Sequence, residues 1–123
     1  DILEAKVFAD WVVTKAYFNF DIHNMSGSSL DKTGVQKKFT QKKGYTIPYG
    51  CFVPLKVENL YLAGRDISGT HMAHSNYRVM PICANMGLAV GVAASLCVKT
   101  GCTPRKLQAA DVQKRLTELG VTP

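Results

Sequence analysis

The sequence has no Cys-x-x-Cys pair, no internal repeat, no low-complexity tract and only nine acidic residues against fifteen basic ones. Each shortage removes a class of protein. Its four cysteines, Cys51, Cys83, Cys97 and Cys102, are spaced like no zinc module, and no metal is expected. Three of them lie in apolar runs, where a free cysteine behaves as a small hydrophobe. A reducing, cytoplasmic setting is the simpler inference, although an even cysteine count leaves disulfides open. Residues 1–6 do not read as a signal peptide, and any targeting segment would lie upstream. The uncharged run over residues 82–98 contains Ala, Gly, Ser and Asn, whereas a bilayer span needs about 20 strongly apolar residues. A buried helix is expected there, and no membrane partner.

What remains is ordinary for a water-soluble globular chain: 46% hydrophobic and 20% charged residues over 123 positions, enough for one domain or part of one. The net charge of +6 is local. Lys32, Lys37, Lys38, Lys42 and Lys43 cluster beside a single acid, Asp31, and account for +4 of it. Such a run reads first as a solvated loop or hairpin. Phe39 and Tyr45 flank it without any nucleic-acid motif around them, so no nucleic-acid partner is expected.

Along the chain, Ile2, Leu3, Val7, Phe8, Trp11 and Val12 have near-helical spacing that continues toward Lys15. Residues 17–23 alternate, with Phe18, Phe20 and Ile22 against Tyr17, Asn19 and Asp21, the period of a half-buried strand. Residues 24–29 form a Ser/Gly-rich turn region, and 32–44 the basic loop. Residues 45–49 and 51–54 read as short extended pieces that Pro48 and Pro54 keep from being central strands. Residues 60–63 form an apolar run ending at Gly64, consistent with a strand buried on both faces. A long helix is expected over 82–99, with Pro81 in its first turn, Lys99 at its negative end and Gly101 as the left-handed cap. Thr103 and Pro104 read as the start of a last helix whose apolar face is Val112, Leu116 and Leu119, closed by Gly120.

The unit that carries chemistry is residues 60–98: strand, Gly64-Arg65, a polar loop with two histidines and an arginine, then the helix. Cys83, Gly87, Gly91 and Ser95 recur every four residues and give that helix one face with almost no side-chain bulk. Close packing against a sheet or approach to a flat ligand would both use it. The helix start offers unpaired N–H groups and partial positive charge, and ligands in open α/β sheets collect beyond strand ends, where Gly64 and Arg65 would lie. The arrangement suits an anionic or electron-accepting group without naming it.

The run Val57-Glu58-Asn59-Leu60-Tyr61-Leu62-Ala63-Gly64-Arg65 is similar to the last FAD-contacting strand of two-dinucleotide-fold flavoproteins. The longer pattern, from Tyr45-Thr46-Ile47-Pro48-Tyr49 through Ala63–Pro81 and the helix beyond, resembles the C-terminal part of a bacterial FAD-dependent oxidoreductase family over roughly residues 20–120. A wider similarity reaches the succinate dehydrogenase and fumarate reductase flavoproteins through the spacing of His74, Arg78 and Gly91. Met80-Pro81 stands where that group usually has Gly-Gly.

The resemblance implies an α/β fold (α+β for this stretch alone): the C-terminal portion of an FAD-binding Rossmann-like fold, with an antiparallel substrate-domain segment and C-terminal helices. Residues 1–56 would end the substrate or cap segment, 57–101 would supply the strand, loop and helix, and 102–123 the C-terminal helix. Gly64 and Arg65, with Asp66 beside them, would lie along the ribityl-pyrophosphate part of FAD. The helix start at Pro81, Ile82 and Cys83 would face the flavin pyrimidine edge. His71, His74 and Arg78 would face a small-molecule substrate, the arginine holding an anionic or carbonyl oxygen and a histidine moving a proton. The residues alone leave other readings open: histidines bonded within the polar loop, and Arg78 paired with Asp66. The Gly-x-Gly-x-x-Gly turn that holds the FAD pyrophosphate is not among these residues. The chain therefore reads as part of a longer flavoprotein, not retaining FAD by itself and self-associating through uncovered faces. The alternative is a small interaction module that binds anionic partners through its lysines.

Overall fold

The computed structural model describes residues 1–23, 41 and 43–123. In these residues a two-stranded antiparallel sheet, β1 (Trp11–Ala16) and β2 (Tyr45–Pro48), is followed by a single 3-10 turn over Tyr49–Phe52. Three helices complete the order: α1 (His71–Tyr77), α2 (Met80–Thr100) and α3 (Ala109–Glu118). The lysine-loop expectation falls mostly on Lys32, Lys37, Lys38 and Lys42, which lie outside the described residues.

The helix expected over the first residues is instead a stretch of turns leading into β1. Val12, Val13 and Thr14 are three consecutive β-branched residues, stiff at χ1 and suited to a pleated surface. All three are buried, so both faces of the strand are covered and the period-2 signature is lost. Pairing runs Trp11↔Pro48, Val13↔Ile47 and Ala16↔Tyr45, with an irregularity between each step. At the second, Lys15 takes φ 52°. Opposite it, a Cβ on Gly44 would come within 2.8 Å of the Lys15 Cα, so glycine is required by close backbone approach.

Among the described residues neither downstream stretch is part of a regular strand. In residues 17–23 Asp21 makes a single β-bridge, and side chains bond the backbone at Phe18: Gln41 Oε1 accepts from its N–H (3.2 Å), and Asn76 donates to its carbonyl. Residues 60–63 have no paired strand among the described residues. The Leu62 N–H reaches the Phe52 carbonyl (3.0 Å), and Leu60 is 43% exposed.

The long helix forms as its end signals predict. Pro81 sits in the first turn, Lys99 in the last, and Gly101 caps it at φ 68°. Ile82, Met86, Ala89, Ala93 and Cys97 make its buried stripe and join Val12, Val13, Phe52, Tyr77 and Leu116 in one core. Its length and composition also suit a bilayer crossing, and this stripe is what it buries in the protein. The last helix starts later than expected. Thr103 begins one isolated turn, its carbonyl accepting the N–H groups of Lys106 (2.9 Å) and Leu107 (3.1 Å), and α3 follows at Ala109. Val112 and Leu116 are buried, whereas Leu119 lies past the helix end and is half exposed.

Candidate functional site

The expected polar loop contains α1. Thr70 caps it, its hydroxyl accepting the Ala73 N–H at 3.1 Å. His71, His74 and Arg78 stand at i, i+3 and i+7, so the turn of the helix gathers all three predicted substrate-facing side chains on one face. The opposite face holds α1 to the sheet. Asn76 is fully buried; its Oδ1 accepts from the Tyr45 hydroxyl (2.7 Å), and its Nδ2 donates to Gln41 Oε1 (3.1 Å) and the Phe18 carbonyl. Gln41 in turn donates to the carbonyls of Ala16 (2.9 Å) and Lys43 (2.7 Å). Tyr77 donates to the Ser68 carbonyl (2.9 Å), and a Cβ on Gly69 would collide with its hydroxyl.

The polar face of α1 meets residues 21–23. Arg78 Nη2 donates to Asp21 Oδ2 (2.8 Å) and to the Asp21 carbonyl (3.1 Å). The ion-pair partner of Arg78 is therefore Asp21, not Asp66. Asp21 Oδ2 also lies 3.1 Å from His23 Nε2, and His71 Nε2 lies 2.9 Å from the His23 carbonyl. His74 Nε2 lies 3.0 Å from the Arg65 carbonyl. A carbonyl only accepts, so both contacts place the proton of neutral His71 and His74 on Nε2. Each Nδ1 is then a lone-pair acceptor. Asp21 and His23 were not singled out in the sequence. The Asp-x-His pairing on the polar side of that stretch was the available signal.

The predicted cofactor residues lie beside α1, where Arg65 meets His74 and Cys83 meets the Tyr77 and Arg78 carbonyls at the helix's C-terminal end. Gly64 has φ 86°, a left-handed conformation that glycine adopts without strain, and a Cβ there would stand 4.0 Å from Cys83 Cβ. Gly64 thus faces the first turn of α2, and a side chain on it would touch Cys83. Cys83 Sγ donates to the Arg78 carbonyl (3.4 Å). Burial pushes its thiol pKa up, with the nearby Arg65 charge opposing and Asp66 adding to that rise. Arg65, Asp66 and Pro81 are exposed. Ile82 is different: its side chain is in the core at 2% exposure, so only its backbone can face a ligand. No side chain caps α2. The Cys83 N–H already bonds the Val79 carbonyl (3.0 Å) and Pro81 has no N–H, which leaves those of Met80 and Ile82 without intrahelical acceptors.

Among the described residues, no three His, Cys, Asp or Glu side chains converge as a metal site. A cavity of about 420 Å³ lies behind α1, walled by Phe20, Ile47, Ile67, Met72, Ala73 and Tyr77. None of the nine predicted site residues lines it.

A family model described as FAD dependent oxidoreductase matches residues 1–116. No curated protein and no solved structure matches the chain.

Proposed function

The chain belongs to the FAD-dependent oxidoreductase family, and on that premise we propose that it supplies one wall of a flavin site whose full protein moves hydride between an organic substrate and FAD. The observation that carries this reading is the placement of left-handed Gly64 facing Cys83 at the uncapped start of α2, where an added Cβ would stand 4.0 Å from the Cys83 Cβ. It joins a turn without side-chain bulk to a helix end that favours negative charge. FAD, when bound, supplies the two-electron chemistry. The residues here fit its ribityl and pyrimidine portions. The glycine turn for its pyrophosphate belongs elsewhere in the fold. In this reading the chain is the C-terminal portion of a Rossmann-like FAD-binding domain.

The chain's own residues divide the remaining work. Gly64 lets the backbone come close to the cofactor, and Arg65 and Asp66 present exposed charge beside it. The Met80 and Ile82 N–H groups, with the α2 dipole, stabilise negative charge at the pyrimidine edge. The Nδ1 atoms of His71 and His74 accept or return a proton. Among the described residues Arg78 engages Asp21 through Nη2, and in this reading its Nη1 and Nε hold an anionic or carbonyl oxygen of a small substrate. In this reading α2 is a packed helix and not a membrane span, held by the stripe Ile82, Met86, Ala89, Ala93 and Cys97. We find nothing that favours the lysine-loop interaction module.

The test uses the full-length flavoprotein. Gly64→Val places a branched side chain at a positive φ and against Cys83, and is expected to strip flavin, read as the ratio of flavin to protein absorbance. Arg78→Ala should leave flavin content intact and raise KM by roughly 10- to 100-fold, the loss of one or two charged hydrogen bonds. Full flavin occupancy in Gly64→Val would sink the cofactor assignment.

A further inference from the structure

The C-terminal end of α2 places two thiols together. Gly101 is left-handed at φ 68°, and the N–H groups of both Gly101 and Cys102 point to the Cys97 carbonyl, the latter at 3.2 Å. This six-residue ring is the Schellman stop, which brings its first and last side chains into contact. In most helices that contact is between two apolar residues. Here it is between Cys97 and Cys102, whose sulfurs lie 3.8 Å apart.

From this geometry we propose that Cys97 and Cys102 form a redox-active dithiol that closes to a disulfide by exchange with a low-molecular-weight disulfide of the glutathione class. The inference is independent of the flavin reading. It rests on the helix stop and two sulfurs.

The two cysteines differ in access. Cys102 is half-buried and Cys97 is buried at 8% exposure. Burial pushes the Cys97 thiol pKa up, with the Tyr61 hydrogen bond opposing. Cys102 therefore attacks first. Its thiolate displaces one thiolate from the small disulfide and forms a mixed disulfide. Cys97, losing its proton to solvent, then attacks the Cys102 sulfur and releases the second small thiol. Two protein thiols and one small disulfide become one protein disulfide and two small thiols; the protein gives up two electrons. Closure needs the sulfurs to approach from 3.8 Å to about 2.05 Å, a side-chain movement about a glycine hinge. It also removes the thiol hydrogen from the Cys97–Tyr61 contact (3.4 Å), which continues through Tyr61–Tyr49 (2.6 Å) to the Pro104 carbonyl (2.7 Å).

The experiment incubates the chain with oxidised glutathione, alkylates free thiols and maps tryptic peptides by mass. Lys99 lies between the two cysteines, so residues 79–99 and 100–105 remain joined only if a disulfide links them. The expected result is that joined species, two hydrogens lighter than the sum of its peptides, with Cys51 and Cys83 alkylated and full reversal by dithiothreitol. Cys83→Ser should keep the linkage, and Cys97→Ser and Cys102→Ser should each lose it. The unmutated chain supplies its own control if a serine variant does not fold, because fragmentation of the joined peptides locates the bond. A cross-link through Cys83, or Cys102 that stops at the glutathione adduct, would overturn the proposal.

Discussion

Asn76 shows how much one residue can organise. It is fully buried, and its side chain is bonded to the Tyr45 hydroxyl, the Gln41 amide and the Phe18 carbonyl, tying α1 to β2 and to residues of the segment between the two strands. Asn76→Ala removes all three bonds and leaves their partners buried, at about 1–3 kcal/mol for each group left unmatched. The expected loss is roughly 2–4 kcal/mol, read from the shift in urea midpoint. A loss below about 1 kcal/mol would show that water or rearrangement replaces the network. That His71, His74 and Arg78 share one helix face, and that Gly64 takes a left-handed turn, is legible in the sequence because spacing and glycine chemistry are local properties. The Asp21 partner of Arg78 is not, since 57 residues separate them and only the tertiary fold joins them. The burial of the Ile82 side chain is likewise not legible, since position at a helix start does not say which way a side chain turns.

Among elements, α2 was the most legible because proline, lysine and glycine mark its ends through backbone chemistry alone. Its interior holds a sharper statement. A Cβ built on Gly87 or Gly91 would meet nothing within 4 Å, leaving only the helix-propensity cost of glycine. Gly87→Ala and Gly91→Ala should each stabilise the 123-residue chain by about 0.5–1 kcal/mol, measured by thermal or urea unfolding. Unchanged or lower stability would mean that something already covers that face. β1 carries a misleading helical spacing because Trp11 and Val12 continue that of Ile2, Leu3, Val7 and Phe8. The adjacent β-branched triplet was the better signal. Residues 60–63 have the apolar content of a strand, but a strand also needs neighbours, and the described residues give the Leu62 N–H the Phe52 carbonyl. The short α1 escaped notice because seven residues with Ser, Asn and two His carry little helical pattern.

At the scale of the molecule, a two-stranded sheet is marginal by itself and depends on the helices laid against it. Even so, several large apolar side chains stay in water: Leu55 and Val98 are each 84% exposed and Met80 86%. We propose that the chain self-associates to cover them. Sedimentation velocity should show mass rising with concentration, and Leu88→Lys combined with Val98→Lys should reduce it. A single monomeric species across concentrations would refute this. The fold class was the least legible property, because the architecture that the resemblance implies depends on strands beyond these residues.

The bare face of α2 also bears on how a partly exposed helix behaves before it meets its neighbour. On that face Gly87, Gly91 and Ser95 have few or no rotamers to freeze and present little grease to water. Contact there fixes almost no side-chain motion, and its strength depends on how closely two surfaces match in shape. Such a face is choosy where Leu88 and Val98 beside it are merely sticky. Those two supply adhesion, and the glycines decide which surface can come near enough to use it.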